Sequence, residues 1–169
     1  AWELHLLLKE DGFNVKNEPT TTSDIRDWSM PSETEEIHRR QSPALKDILI
    51  ETNLKSVNTY ADVLLKHIGL RYYGKGDFFS GVNAIMQFWG SRGVPRTGWY
   101  QEDGSGLSRA NSISSKQLAL VLAKLNPKFR EWFKMGFKSL AGDGDIVAKS
   151  GYITRGMAYT GFISLHGTE

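Results

Sequence analysis

Residues 146–165 constrain the fold more than any other stretch. Ile146-Val147-Ala148-Lys149-Ser150-Gly151-Tyr152 and Ala158-Tyr159-Thr160-Gly161-Phe162-Ile163-Ser164-Leu165 are two runs rich in apolar, aromatic and β-branched residues. A turn signal at Thr154-Arg155-Gly156 separates them. The pattern predicts two strands joined by a short turn. A lysine, a small hydroxyl and a glycine then sit near the end of the first strand. Gly151 leaves no side chain between the backbone and an approaching ligand, and Lys149 brings a compact positive charge. On these three residues alone the plainer reading is an exposed edge-strand lysine beside a bulge glycine.

Helical periods fill most of the chain ahead of this pair. Trp2 to Glu10 reads as a short helix stopped by Asp11-Gly12, with Phe13-Asn14-Val15 as a following strand. From Asn17 to about Ser32 the residues turn to Thr, Ser, Asp and Pro, a loop or crossing segment and the natural domain boundary. Glu35-Glu36-Ile37-His38-Arg39 reads as a short strand. Ser42-Pro43 supplies an N-cap and first-turn proline for a helix through Glu51. Tyr60, Val63, Leu64 and Ile68 recur at helical spacing, with Gly69 closing that helix. A third, Phe78 to Trp89, groups Phe79, Val82, Ile85, Met86 and Trp89 on one side. Asp103 to Arg109 is a turn-rich loop. Helices follow from Ser115 to near Pro127 and from Phe129 to Leu140, and Gly142-Asp143-Gly144-Asp145 turns into the final hairpin. Several helices followed by an antiparallel pair mean an α+β fold rather than a doubly wound sheet.

Composition enters through what it excludes. The net charge is +2 over 169 residues and no Lys/Arg run exceeds a pair, so there is no footprint for nucleic acid. Cysteine is absent, which removes disulfides, thiolate metal sites and cysteine nucleophiles. No stretch is long and apolar enough for a membrane span. His5, His38, His67 and His166 include no i,i+4 pair and no carboxylate at metal spacing, so no metal or cofactor is expected. No Gly-x-Ser-x-Gly elbow is present. Tyr72, Tyr73, Trp89 and Trp99 suit a carbohydrate groove, but core packing is the commoner fate of such side chains.

Two further places can carry chemistry. Ser56-Val57-Asn58 falls at the junction of two helices, where a hydroxyl that passes a proton and an amide that bonds a carbonyl can share a cleft. The plainer reading makes Ser56 the N-cap of the second helix and Asn58 a first-turn residue. Asp103-Gly104-Ser105-Gly106 has neither the lysine of a phosphate loop nor the closing glutamate of a calcium loop, so turn chemistry suffices.

In order, Ser42 to Leu49, Asn53 to Leu65, Asp103-Gly104-Ser105-Gly106-Leu107-Ser108-Arg109-Ala110-Asn111 and Lys149-Ser150-Gly151 give the chain a broader likeness. It resembles the D-alanyl-D-alanine carboxypeptidase/endopeptidase family of class C low-molecular-mass penicillin-binding proteins. The resemblance covers the chain from about Ile37. It implies a β-lactamase/transpeptidase-like domain, an antiparallel sheet with a helical lobe, of which residues 33–169 are the C-terminal part. Residues 1–32 are then the tail of an inserted domain and a crossing segment, and the chain is expected to be a piece of something longer.

In such proteins a Ser-x-x-Lys motif supplies the acylated serine and its base, Ser-x-Asn assists proton transfer, and Lys-Thr-Gly on a strand binds the peptide carboxylate. The resemblance assigns Ser56, Asn58 and Lys149 to catalysis, and Ser150, Gly151, Tyr152, Asp103 and Ser105 to substrate binding. Serine stands where threonine is usual, and Tyr152 stands where a small hydroxyl is common. No lysine has a serine three residues before it, so the Ser-x-x-Lys motif is missing. The implied partners are peptidoglycan stem peptides, with β-lactams as inhibitors of the complete enzyme, in the periplasm or cell envelope. The chain alone is expected to be inactive. The alternative is a non-catalytic, peptidoglycan-binding relative of the same fold.

Overall fold

In a computed structural model the chain divides into two compact units, Ala1–Gln41 and Ser42–Glu169. The structure describes all residues except 1, 22, 23, 28, 30, 31, 34, 37, 38, 141–145, 154, 155 and 165–169.

The first unit holds α1 (Trp2–Glu10). Gly12, at φ 84°, ends it in the left-handed region, where a glycine carries no Cβ penalty. The Gly12 N–H donates to Lys9 O and the Phe13 N–H to Leu8 O, the paired bonds of a Schellman motif. Phe13-Asn14-Val15 is not a strand, because no neighbouring segment pairs with it among the described residues. Glu35, Glu36 and Arg39 lie outside any strand too, while Ile37 and His38 fall outside the described residues.

The second unit starts with α2 (Leu45–Lys55), α3 (Asn58–Tyr73) and α4 (Phe78–Gly90). Ser42 does not cap α2. Its hydroxyl turns to Pro43 O, Ala44 stays extended at the cap position, and the helix starts two residues later than the Ser-Pro signal implies. Gly69 does not end α3, which runs on to a left-handed Gly74. It lies in the seam with α4 instead. A Cβ on Gly69 would stand 2.6 Å from Gly81 N, and one on Gly81 would stand 2.3 Å from Leu65 O. The two helices thus touch backbone to backbone. The apolar centre of this unit includes Leu65, Ala84, Met86 and Val94, whereas Phe79 points outward. Tyr72 and Tyr73, at the exposed end of α3, are not core residues either.

After the loop that follows α4 come α5 (Ser115–Ala123) and α6 (Pro127–Gly136). Ser114 and Gln117 form a capping box, and the buried Gln117 amide also donates to Pro95 O and Thr97 O, pinning the preceding loop. The helix expected to run to Leu140 stops at Gly136, where the chain enters β1 (Lys138–Ser139). β2 (Ile146–Ile153) and β3 (Gly156–Ile163) form the expected hairpin. The turn residues Thr154 and Arg155 and the 142–145 turn lie outside the described residues. The sheet is antiparallel with order β1-β2-β3. Phe137 stacks on Phe162 and, with Ala148, anchors the sheet's buried portion.

Candidate active site

The site begins with an unusual helix end. The Val57 N–H donates to Thr52 O, closing α2 in a Schellman-like turn whose left-handed residue is Ser56, at φ 54° and ψ 49°. Glycine normally takes that position, since a Cβ there costs roughly 1–2 kcal/mol. Ser56 is therefore the C-cap of α2, not the N-cap of the following helix; Val57 holds that place and Asn58 opens α3 in its first turn. The reversal between α2 and α3 leaves both Ser56 and Asn58 exposed.

Lys149 reaches this turn from the sheet. Its Nζ donates to Ser56 Oγ at 3.0 Å and to Ser150 O at 2.7 Å. The contact joins two groups 93 residues apart. Desolvation by partial burial, aided by the charge of Lys138, holds the Lys149 ammonium below the usual lysine pKa. Lys138 sits across the ladder from Ala148, the residue before Lys149.

Of the plain reading, the bulge does not survive, while β2 does lack a β1 partner from Lys149 onward among the described residues. β2 lies between β1 and β3, and its register with β3 runs unbroken through Gly151↔Ala158, so there is no bulge. The Leu140 N–H donates to Ile146 O, and β1 pairs Lys138 with Ala148. Alternate β2 residues thus turn their main-chain groups toward the β1 side, and Ser150 and Tyr152 continue that series beyond the last β1 pair. A Cβ on Gly151 would meet nothing within 4 Å, and its φ is not positive. Neither packing nor backbone conformation within this chain requires a glycine there. Tyr152 is 75% exposed.

Asp103 and Ser105 are used differently. Asp103 accepts from the Gly106 and Ser108 N–H groups and from the Asn111 amide, bracing its own loop. Burial pushes its carboxyl up, but hydrogen bonds from Asn111, Ser108, Gly106 and Leu107 outweigh that and hold it below the usual carboxylate value. Ser105 Oγ is enclosed and has no hydrogen-bond partner among the described residues. Reciprocal Tyr100–Ser112 main-chain bonds close the base of the loop.

The residue that sequence reasoning passed over is Asp62. Its Oδ1 accepts both the Gly104 and Ser105 N–H groups, each at 2.9 Å. The available signal was its place one helical turn after Asn58. Among the described residues no group of three or more His, Cys, Asp or Glu is arranged to hold a metal, and His67 lies exposed on α3.

Helices beside an antiparallel sheet, with a lysine from a strand meeting a serine at a helix junction, define a penicillin-binding-protein fold. Two crystal structures of penicillin binding protein 4 (dacB) from Haemophilus influenzae share it. The first gives a TM-score of 0.60 at 24% identity, covering 69% of this chain and 30% of that one. The second, a complex with a novel β-lactam, gives 0.61 at 24% identity, covering 69% and 31%. The sequence pattern of the D-Ala-D-Ala carboxypeptidase 3 (S13) family matches residues 4–162, and the chain belongs to that family. It is 25% identical to the D-alanyl-D-alanine carboxypeptidase of Actinomadura sp. (strain R39), over 92% of this chain and 32% of the relative. It is 29% identical to D-alanyl-D-alanine carboxypeptidase DacB of Haemophilus influenzae, over 73% and 26%. Penicillin-sensitive carboxypeptidase A of Dictyostelium discoideum is also 29% identical, over 75% and 27%. The chain spans about a quarter to a third of the length of these curated relatives.

Proposed function

We propose that this chain supplies two of the three motifs of a serine D-Ala-D-Ala peptidase acting on peptidoglycan peptides in the periplasm or cell envelope. The single observation that carries the reading is the 3.0 Å bond from Lys149 Nζ to Ser56 Oγ, which joins the Ser-x-Asn and Lys-Ser-Gly triplets. In this reading Ser56 passes a proton between the departing amine and the lysine of the Ser-x-x-Lys motif, while Lys149 holds the Ser56 hydroxyl in place. The Asn58 amide bonds a peptide carbonyl, and Lys149 with Ser150 binds the terminal carboxylate. Main-chain N–H groups on the β1 side of β2 face the oxyanion. Gly151 keeps the approach clear, which accounts for a glycine that its own chain does not require. Asp103 and Ser105 shape the neighbouring loop and are assigned no contact with the peptide.

The nucleophile and its lysine lie outside this sequence, which has no Ser-x-x-Lys. The 169-residue chain is therefore expected to form no acyl-enzyme. The test is intact-mass spectrometry after incubation with benzylpenicillin, on this chain and on the polypeptide expressed with its natural flanking coding sequence. A penicilloyl adduct on the longer form alone supports the peptidase. No adduct on either, with the longer form folded, leaves the non-catalytic peptidoglycan-binding relative as the better reading.

A further inference from the structure

The first turn of α3 carries Asn58 and follows directly on Ser56, whereas the glycine contacts with α4 meet α3 at Leu65 and Gly69. Those residues lie about two and three helical turns past Asn58. What lies against the exposed start of the helix is the loop at 103–111. Gly104 sits so close that a Cβ on it would fall 2.4 Å from Ala61 O and 3.1 Å from Asp62 N. Asp62 fixes that approach by accepting two successive main-chain N–H groups on one oxygen. The loop is stiff on its own account, because Asp103 gathers three of its donors and Asn111 Oδ1 accepts from the Glu102 N–H. A stiff loop tied to one helical turn acts as a buttress for that turn.

We propose that Asp62 is a positioning residue for the Ser56–Asn58 turn, holding the 103–111 loop against the start of α3 so that Ser56 meets Lys149. The proposal rests on reading that turn as part of a serine peptidase site. It needs an acceptor oxygen rather than a negative charge, since a single oxygen makes both bonds. Asp62→Asn keeps such an oxygen. Asp62→Ala removes it and leaves two N–H groups unpaired in a seam too tight for the loop to turn freely.

The test is the time course of benzylpenicillin acylation, followed by intact mass over a range of drug concentrations, on the polypeptide with its natural flanking coding sequence. Loss of folded protein lowers the amount of adduct, whereas misplacement of the turn lowers the rate constant at saturation. Asp62→Ala is expected to slow that rate constant about 10- to 100-fold, the scale of an ångström-sized misplacement. The half-saturating concentration is expected to stay within about threefold, with Asp62→Asn within about threefold of the unsubstituted protein in both parameters, on the same positioning argument. An unchanged rate constant in Asp62→Ala overturns the proposal, as does equal impairment in Asp62→Asn. If Asp62→Ala does not fold, Asp62→Ser takes its place, with a shorter acceptor and an intermediate rate expected. If the unsubstituted protein forms no adduct, the peptidase reading fails instead. The proposal is then decided by NMR titration of the Lys149 ε-methylene. A rise in its pKa toward the ordinary lysine value in Asp62→Ala, restored in Asp62→Asn, supports it; no movement overturns it.

Discussion

Ser56 holds a backbone conformation that suits glycine and a hydroxyl that glycine lacks. Replacing it separates the two properties. Ser56→Gly relieves the left-handed Cβ contact and Ser56→Ala retains it, so the glycine variant is expected to be more stable than the alanine variant by about 1 kcal/mol. Both lose the bond from Lys149. Urea midpoints of the two variants check this, and a higher midpoint for alanine would contradict the assignment. At Lys149 the prediction concerns protons. A lysine whose folded-state pKa is depressed costs stability wherever it must be charged. That cost is fully present below the depressed value and disappears as pH rises through the window up to the ordinary lysine value. Because the charge on Lys138 contributes to the depression, Lys138→Gln is expected to raise the Lys149 pKa. The ε-methylene titration of the two proteins measures it; an unmoved Lys149 would remove Lys138 from the account. None of this was legible in the triplets themselves. Sequence marks the serine and the lysine, but the φ of Ser56 and the approach of Lys138 to Lys149 are set by how the chain returns.

Glycines show the same division between helices and strands. Gly69 followed an apolar helical period and read as a stop, yet the seam with α4 makes it an interior residue. Periodicity cannot separate a glycine that ends a helix from one that lets a second helix close in, because both follow the last large apolar residue of a face. The strands were easier: two β-rich runs either side of a turn signal left little choice, and their register confirms the pairing. Ser42-Pro43 misled by two residues, because the serine hydroxyl bonds its own neighbour's carbonyl. The contrast between glycines can be measured. Gly81→Ala drives a methyl into Leu65 O and is expected to destabilise the second unit by about 1–3 kcal/mol. Gly151→Ala meets no atom and is expected to stay within about 0.5 kcal/mol of the unsubstituted chain. Thermal or urea unfolding of both proteins settles the comparison, and equal losses would mean that β2 is packed more tightly than the structure has it.

For the molecule as a whole, the α+β arrangement and the pairing of the two triplets were legible because four separated strings agreed in order. The loop string read as a turn with family character, but its attachment to Asp62 was not legible. A hydrogen bond from two consecutive main-chain donors leaves no side-chain pattern at the donor end. The separation of Ser56 and Lys149 also has a consequence in time. Helices α3 and α4 follow one another directly and pack together from local contacts, whereas the Ser56–Lys149 bond must close a loop of 93 residues. At a ribosomal rate of about 5–20 residues per second, the strand lysine is added roughly 5–20 s after the serine. Through that interval Ser56 is without its lysine. Docking of the last hairpin is the event that brings Lys149 to Ser56.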